Sequence, residues 1–181
     1  MKQLLCLLTL IAIVNVTPAR GMTIDEAYRA IPHKRTSYDA QLSTLGATER
    51  EFLARLFALS DEALVERVKA LAALRKGNQA QLERYEVQVS RIISTLRALP
   101  EPASAHGLAV ALSQAIHYQR AFFQAAFSSS EQDRQIGKDP NVLMASHELR
   151  RLYTDLLTRY SAEHPHNRDA FYQHLCALDF L

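Results

Sequence analysis

The sequence predicts an all-α fold: an up-down-up-down four-helix bundle with a short extra helix at each end of the mature chain. Three observations carry that prediction. Apolar residues recur in steps of three and four through most of the chain, and no stretch alternates with period two. The composition favours helices, being rich in Ala, Leu, Arg, Gln and Glu, with five glycines and no tryptophan in 181 residues. Helix-ending and helix-starting residues also meet closely, at Gly77-Asn78 and across Pro100-Glu-Pro102, and short connections make successive helices antiparallel.

Residues 1–21 stand apart from this pattern. Lys2 supplies one positive charge, Leu4 to Val14 is an apolar run broken only by Thr9, and Asn15 to Gly21 turns polar and small. That order is the signature of a secretory signal peptide. The apolar core reaches Val16 at most, about 13 residues from Leu4, where a spanning helix needs roughly 20. Small residues allow cleavage after Ala19 or after Gly21, and Gly21 is preferred because Pro18 is then clear of the cut. The expectation is a periplasmic protein, with secretion as the alternative, that keeps no stable membrane span after cleavage. One domain, residues 22–181, carries the fold, and 160 residues suffice to bury about 70% of the unfolded chain's surface.

Removing the leader changes the charge and the cysteine count. The chain has 21 Lys+Arg against 19 Asp+Glu, and the excess is Lys2 and Arg20. A neutral mature chain gives no electrostatic reason to expect nucleic acid as a partner. Cys6 leaves with the leader and Cys176 remains, so no internal disulfide can form. Pairing between two chains is open to Cys176, and burial in a terminal helix is the simpler expectation.

In order along the chain, Thr23 and Glu26 are spaced as a capping box and open a short helix carrying Ile24, Tyr28 and Ile31, which Pro32 ends. Thr48 and Glu51 form a second box and start a long helix running to Lys76-Gly77. Its apolar face shifts at Ser60-Asp61, from Phe52, Leu53, Leu56 and Phe57 to Leu64, Val68 and Leu71, which predicts a break or bend there. Asn78 starts a helix with the cleanest seam, Leu82, Tyr85, Val89, Ile92, Leu96 and Leu99. The next helix is expected from Ala103 and carries Leu108, Leu112, Ala115, Gln119, Phe122 and Ala126. Residues 128–139 read as a loop, and Asp139-Pro140 caps a helix with Val142, Leu149, Leu152, Leu156 and Tyr160 on one side. His164-Pro165 stops it, and Asn167 is expected to cap a last short helix with Phe171, Leu175 and Leu178.

The chemistry-bearing patterns are sparse. With one mature cysteine a C-x-x-C-H haem attachment is excluded, and Glu163-His-Pro-His166 is a lone Glu-x-x-His spacing across a proline. His106, His117 and His147 fall opposite the apolar stripes of their helices and are expected in water. No G-x-S-x-G, H-E-x-x-H or glycine-rich phosphate loop is present, so no residue is assigned to catalysis. Gln119 occupies a seam position, where a buried amide fixes helix register by bonding a neighbour or else lines a small pocket with Tyr118 or Phe123.

Two clusters remain. Tyr28, His33, Lys34, Arg35 and Tyr38 place two tyrosines beside two cations in a connecting segment, a composition that suits an anion or peptide-binding surface. The helix macrodipole alone would also favour cations at Lys34 and Arg35. Glu163, His164, His166, Asp169 and His174 bring together ligand types that zinc or copper accepts. The function expected is therefore a non-enzymatic periplasmic binding or protein-interaction module, needing no cofactor and taking a protein, peptide or small ligand. The alternative is a helical bundle carrying a metal or other cofactor at residues 163–174.

Overall fold

The structure, a computed structural model, describes residues 21–31, 33–128 and 136–179. The segment expected to be a signal peptide lies outside the described residues except for Gly21, as do Pro32 and residues 129–135 of the expected loop. Among the described residues all regular structure is helical: α1 Ile24–Ala30, α2 Ala47–Lys76, α3 Gln79–Arg97, α4 Leu108–Ser128, α5 Pro140–Arg159 and α6 Pro165–Leu178.

The helix ends show why the chain stops and starts where it does. At α1 the Thr23 hydroxyl accepts from the Glu26 amide at 3.2 Å, and the Glu26 carboxylate accepts from the Thr23 amide at 2.7 Å. The second box, expected at Thr48 and Glu51, does not form, and the helix starts earlier with only half of such a pair. α2 begins at Ala47 behind Gly46, and Glu49 reaches back to the Gly46 amide at 3.1 Å, so Thr48 lies inside the helix. Gly77 ends α2 at φ 61°, with the Gly77 amide on Leu74 O and the Asn78 amide on Ala73 O. This 5→2 and 6→1 pair is the Schellman arrangement, and Asn78 caps α3 at once by accepting from the Gln81 amide.

The helix expected from Ala103 is split. A 3-10 turn covers Ala103–Ala105, Gly107 takes φ 86°, and α4 starts at Leu108. Glu101 makes the new start possible: its carboxylate accepts from the Gly107 amide at 2.7 Å and the Ala109 amide at 2.8 Å. Asn167 is likewise not the cap of α6. His164 holds that position, accepting from the His166 amide at 3.2 Å, with Pro165 in the first turn.

No break occurs at Ser60, and α2 is continuous over 30 residues. Its apolar face rotates because α2 is covered from several sides at once, by α1, α3, α4 and α6. Around the rest of the core, α3 packs on α4, α4 on α5, and α6 on both α5 and α2. The last helix is thus a wall of the core. Phe171, Leu175 and Leu178 are all buried there, and at about 1.5–3 kcal/mol each their burial rivals the net stability of a typical domain.

The carboxyl end of α6 is held by three helices. Arg67 of α2 donates to the carbonyls of Ala177 and Asp179, and Gln119 of α4 donates to Leu178 O at 2.6 Å. Ser146 of α5 donates to the Asp179 carboxylate. A buried cation suits the negative end of a helix. Burial brings the Arg67 guanidinium down to about 10, while the charge of Asp179 opposes that shift. Gln119 is 2% exposed, so its amide fastens α6 to α4 from inside the core.

Candidate functional site

Between α1 and α2 the chain runs as a strap, residues 33–45, with no regular secondary structure, over α6 from the turn before it to His174. A strap without a ladder must satisfy its backbone groups elsewhere. Here the side chains of α6 do so. The Tyr38 amide donates to His174 Nε2 at 3.3 Å, and the Asp39 amide donates to Asn167 Oδ1 at 2.8 Å. Asn167 Nδ2 returns a bond to Asp39 O at 2.9 Å, and the Thr44 amide donates to Glu163 Oε1 at 3.1 Å. His166 Nε2 donates to Ser37 O at 3.0 Å, and His33 Nε2 donates to Gln173 O at 3.2 Å. Side chains add Thr36 to Asp169 at 2.9 Å and Ser43 to Glu163.

The two clusters singled out in the sequence are therefore one seam. Glu163, Asn167 and His174 are buried beneath the strap, and Glu163 takes donors from Ser43, Thr44 and the His164 amide. Among the described residues no group of three or more His, Cys, Asp or Glu side chains is arranged to hold a metal ion. The side chains of Glu163, His164, His166, Asp169 and His174 bond instead to the strap, to the first turn of α6 or to α2. Hydrogen bonds from Gln173 and then Thr36 hold the Asp169 carboxyl below its ordinary range.

Under the strap lies a buried polar knot. Asp61 of α2 accepts at Oδ1 from Tyr28 of α1 at 3.0 Å and from His174 of α6 at 2.8 Å. Because the Tyr38 amide occupies Nε2, the proton of neutral His174 sits on Nδ1. Both the Tyr28 hydroxyl and Nδ1–H thus point at one carboxylate oxygen, and their own 3.4 Å separation is a contact between two donors. Arg35 stands 3.6 Å from Asp61 Oδ2, pairs with Asp25 at the surface, and lies 5.7 Å over the Tyr28 ring. Burial, and after it the Asp61 charge, pushes the Tyr28 hydroxyl above its ordinary range, so it stays a neutral donor.

Aromatic rings floor the knot. Phe57 stacks on His174 at 4.7 Å and on Phe171 at 5.5 Å, and Tyr38 packs 5.7 Å from Phe57 and 6.2 Å from Phe171. Every polar atom of the His174 ring is engaged, and its side chain is 2% exposed. An Asp–His pair so placed ties the strap to α2 and α6. Of the five residues in the first cluster, Tyr28 is buried, His33 and Tyr38 are half-buried against α6 and the core, and Lys34 and Arg35 reach the surface. Lys34, Arg35, Ser37, Gln41, His166 and Asp169 border an open depression on the outside of the strap.

Asp61, Thr36, Ser43, Asn167 and Gln173 belong to the seam and were not read as site residues in the sequence, where Asp61 marked a break in α2 and Asn167 a helix cap. Asp61 had a signal, being an acid in the middle of an apolar helix. The others carried none, since a polar residue in a loop or a helix's first turns is ordinary. Compared with known proteins, the chain matches no family model, no curated protein and no solved structure.

Proposed function

We propose that the chain is an exported, non-enzymatic binding module that takes a periplasmic protein, peptide or small ligand on the outer face of the strap. Its frame would be four long helices running up-down-up-down, with α6 completing the core. One observation carries the reading: the strap's inward groups are spent on holding it down, while Lys34 stands exposed at the rim of an open depression, next to Arg35, which is held by Asp25 and Asp61, and beside His166 and Asp169. Rigidly held loops bordered by cations and small polar groups are where binding concentrates. No helix among the described residues is long and apolar enough to cross a membrane.

A photoreactive benzophenone side chain placed at Ser37, and as a control at Val87 on the exposed side of α3, tests this in cells. The reading predicts a discrete adduct from Ser37, lost when Lys34→Ala is added, and none from Val87. Equal adducts from both positions, or none from Ser37, would contradict it.

A further inference from the structure

His33, His166 and His174 fasten the strap to α6 in two opposite senses. A carbonyl can only accept and a backbone amide can only donate, so the partner of each ring fixes its role. His33 and His166 donate from Nε2 to carbonyls, Gln173 O at 3.2 Å and Ser37 O at 3.0 Å. A second proton on either ring leaves that donor in place. His174 does the reverse. Its Nε2 accepts from the Tyr38 amide at 3.3 Å, and this bond exists only while the ring is neutral. His164 also accepts an amide, but that amide is His166 in the first turn of α6 and holds no part of the strap. We propose that His174 is a pH-sensitive latch, which lets go of strap residues 35–38 when its ring takes a second proton.

The groups facing the ring make the release one-sided. Asp61 of α2 accepts from Nδ1 at 2.8 Å, and a charged ring keeps that bond as an ion pair, so α6 stays fastened to α2. Tyr28 of α1 lies 3.4 Å from Nδ1 and remains a neutral donor to the same carboxylate oxygen. His33 stands behind Tyr28, with 6.5 Å between ring centres. Phe57 stacks on the ring, and α5 sends it no hydrogen bond or ion pair among the described residues. The strap contributes Arg35, 3.6 Å from Asp61 Oδ2. A charged His174 answers the Asp61 carboxylate at shorter range than Arg35 does, while Arg35 keeps Asp25 as its surface partner. The Tyr38 amide and Arg35 thus lose their inward hold together, and both border the depression beside Lys34. That acid also alters ligand binding rests on the strap-face reading. The latch is a property of the free chain, so its failure and the failure of that reading are separate results.

The released strap holds one proton more than the closed one, so falling pH drives release, by up to about tenfold per pH unit. Ring nitrogen shifts of His174 and amide exchange, both read by NMR on the purified chain from about pH 8 to about pH 5, cover the range in which histidines change charge. At the alkaline end Nδ1 should carry the proton and Nε2 should be bare. Over the range in which the ring shifts move, Tyr38 protection, corrected for intrinsic exchange, should fall about tenfold or more. The core amides of α3 and α4 should hold theirs. His174→Gln, which cannot titrate, should make Tyr38 protection independent of pH. The proposal is overturned by a proton on Nε2 at the alkaline end, by a ring that stays neutral throughout, or by Tyr38 protection that is flat while the ring titrates. Loss of Tyr38 protection in step with the core overturns it too, as does a pH dependence that survives His174→Gln.

Discussion

Asp61 looked, in the sequence, like a place for α2 to break, because an acid beside a serine interrupts the apolar rhythm. In the fold it is 5% exposed and collects donors from α1 and α6, with Arg35 of the strap nearby. The signal was read correctly as an anomaly and given the wrong cause, since a buried carboxylate with partners needs no break in the helix. Removing it leaves the Tyr28 hydroxyl and the His174 Nδ1–H facing each other without an acceptor. Asp61→Ala should therefore cost about 3–5 kcal/mol in urea unfolding, the scale of a broken buried pair. Asp61→Asn keeps one acceptor oxygen and should cost clearly less. Histidine and carboxylate counts hid the same lesson at residues 163–174. Ligand types for a metal are also hydrogen-bonding partners for a backbone, and spacing alone does not separate the two uses.

Among the elements, legibility followed the locality of the forces. The capping box at Thr23, the stop at Gly77, the restart at Asn78 and the proline start of α5 all depend on neighbours within a few residues, and the sequence displays them. The start of α4 depends on Glu101 reaching six and eight residues ahead, across a turn that Gly107 makes possible, and periodicity says nothing about that. Gly107 at φ 86° sits where an L side chain is strained. Gly107→Ala should destabilise the protein by about 1–2 kcal/mol, read as a lower urea midpoint with an unchanged slope. A variant at full stability would mean that α4 starts without the left-handed turn.

On the scale of the molecule, the all-helical class was plain from periodicity and composition, while the role of the last helix was not. A 14-residue amphipathic segment reads as an appendage until its neighbours are known. Its apolar face is covered by α2 and α5, its carboxyl end is gripped by Arg67, Gln119 and Ser146, and its residues from Asn167 to His174 carry the strap. Two clusters that lie more than a hundred residues apart in sequence thereby become one seam, and the strap presents Lys34 and Arg35 from a fixed base. Amide hydrogen exchange with residue-level readout measures that fixed base most directly. The amides of Tyr38, Asp39 and Thr44 should be protected in the native protein. They should lose protection together in Asn167→Ala, with the core amides of α3 and α4 unchanged. Exchange of the three amides in the native protein as fast as in an unstructured loop would contradict the seam, and with it the surface on which the binding reading rests.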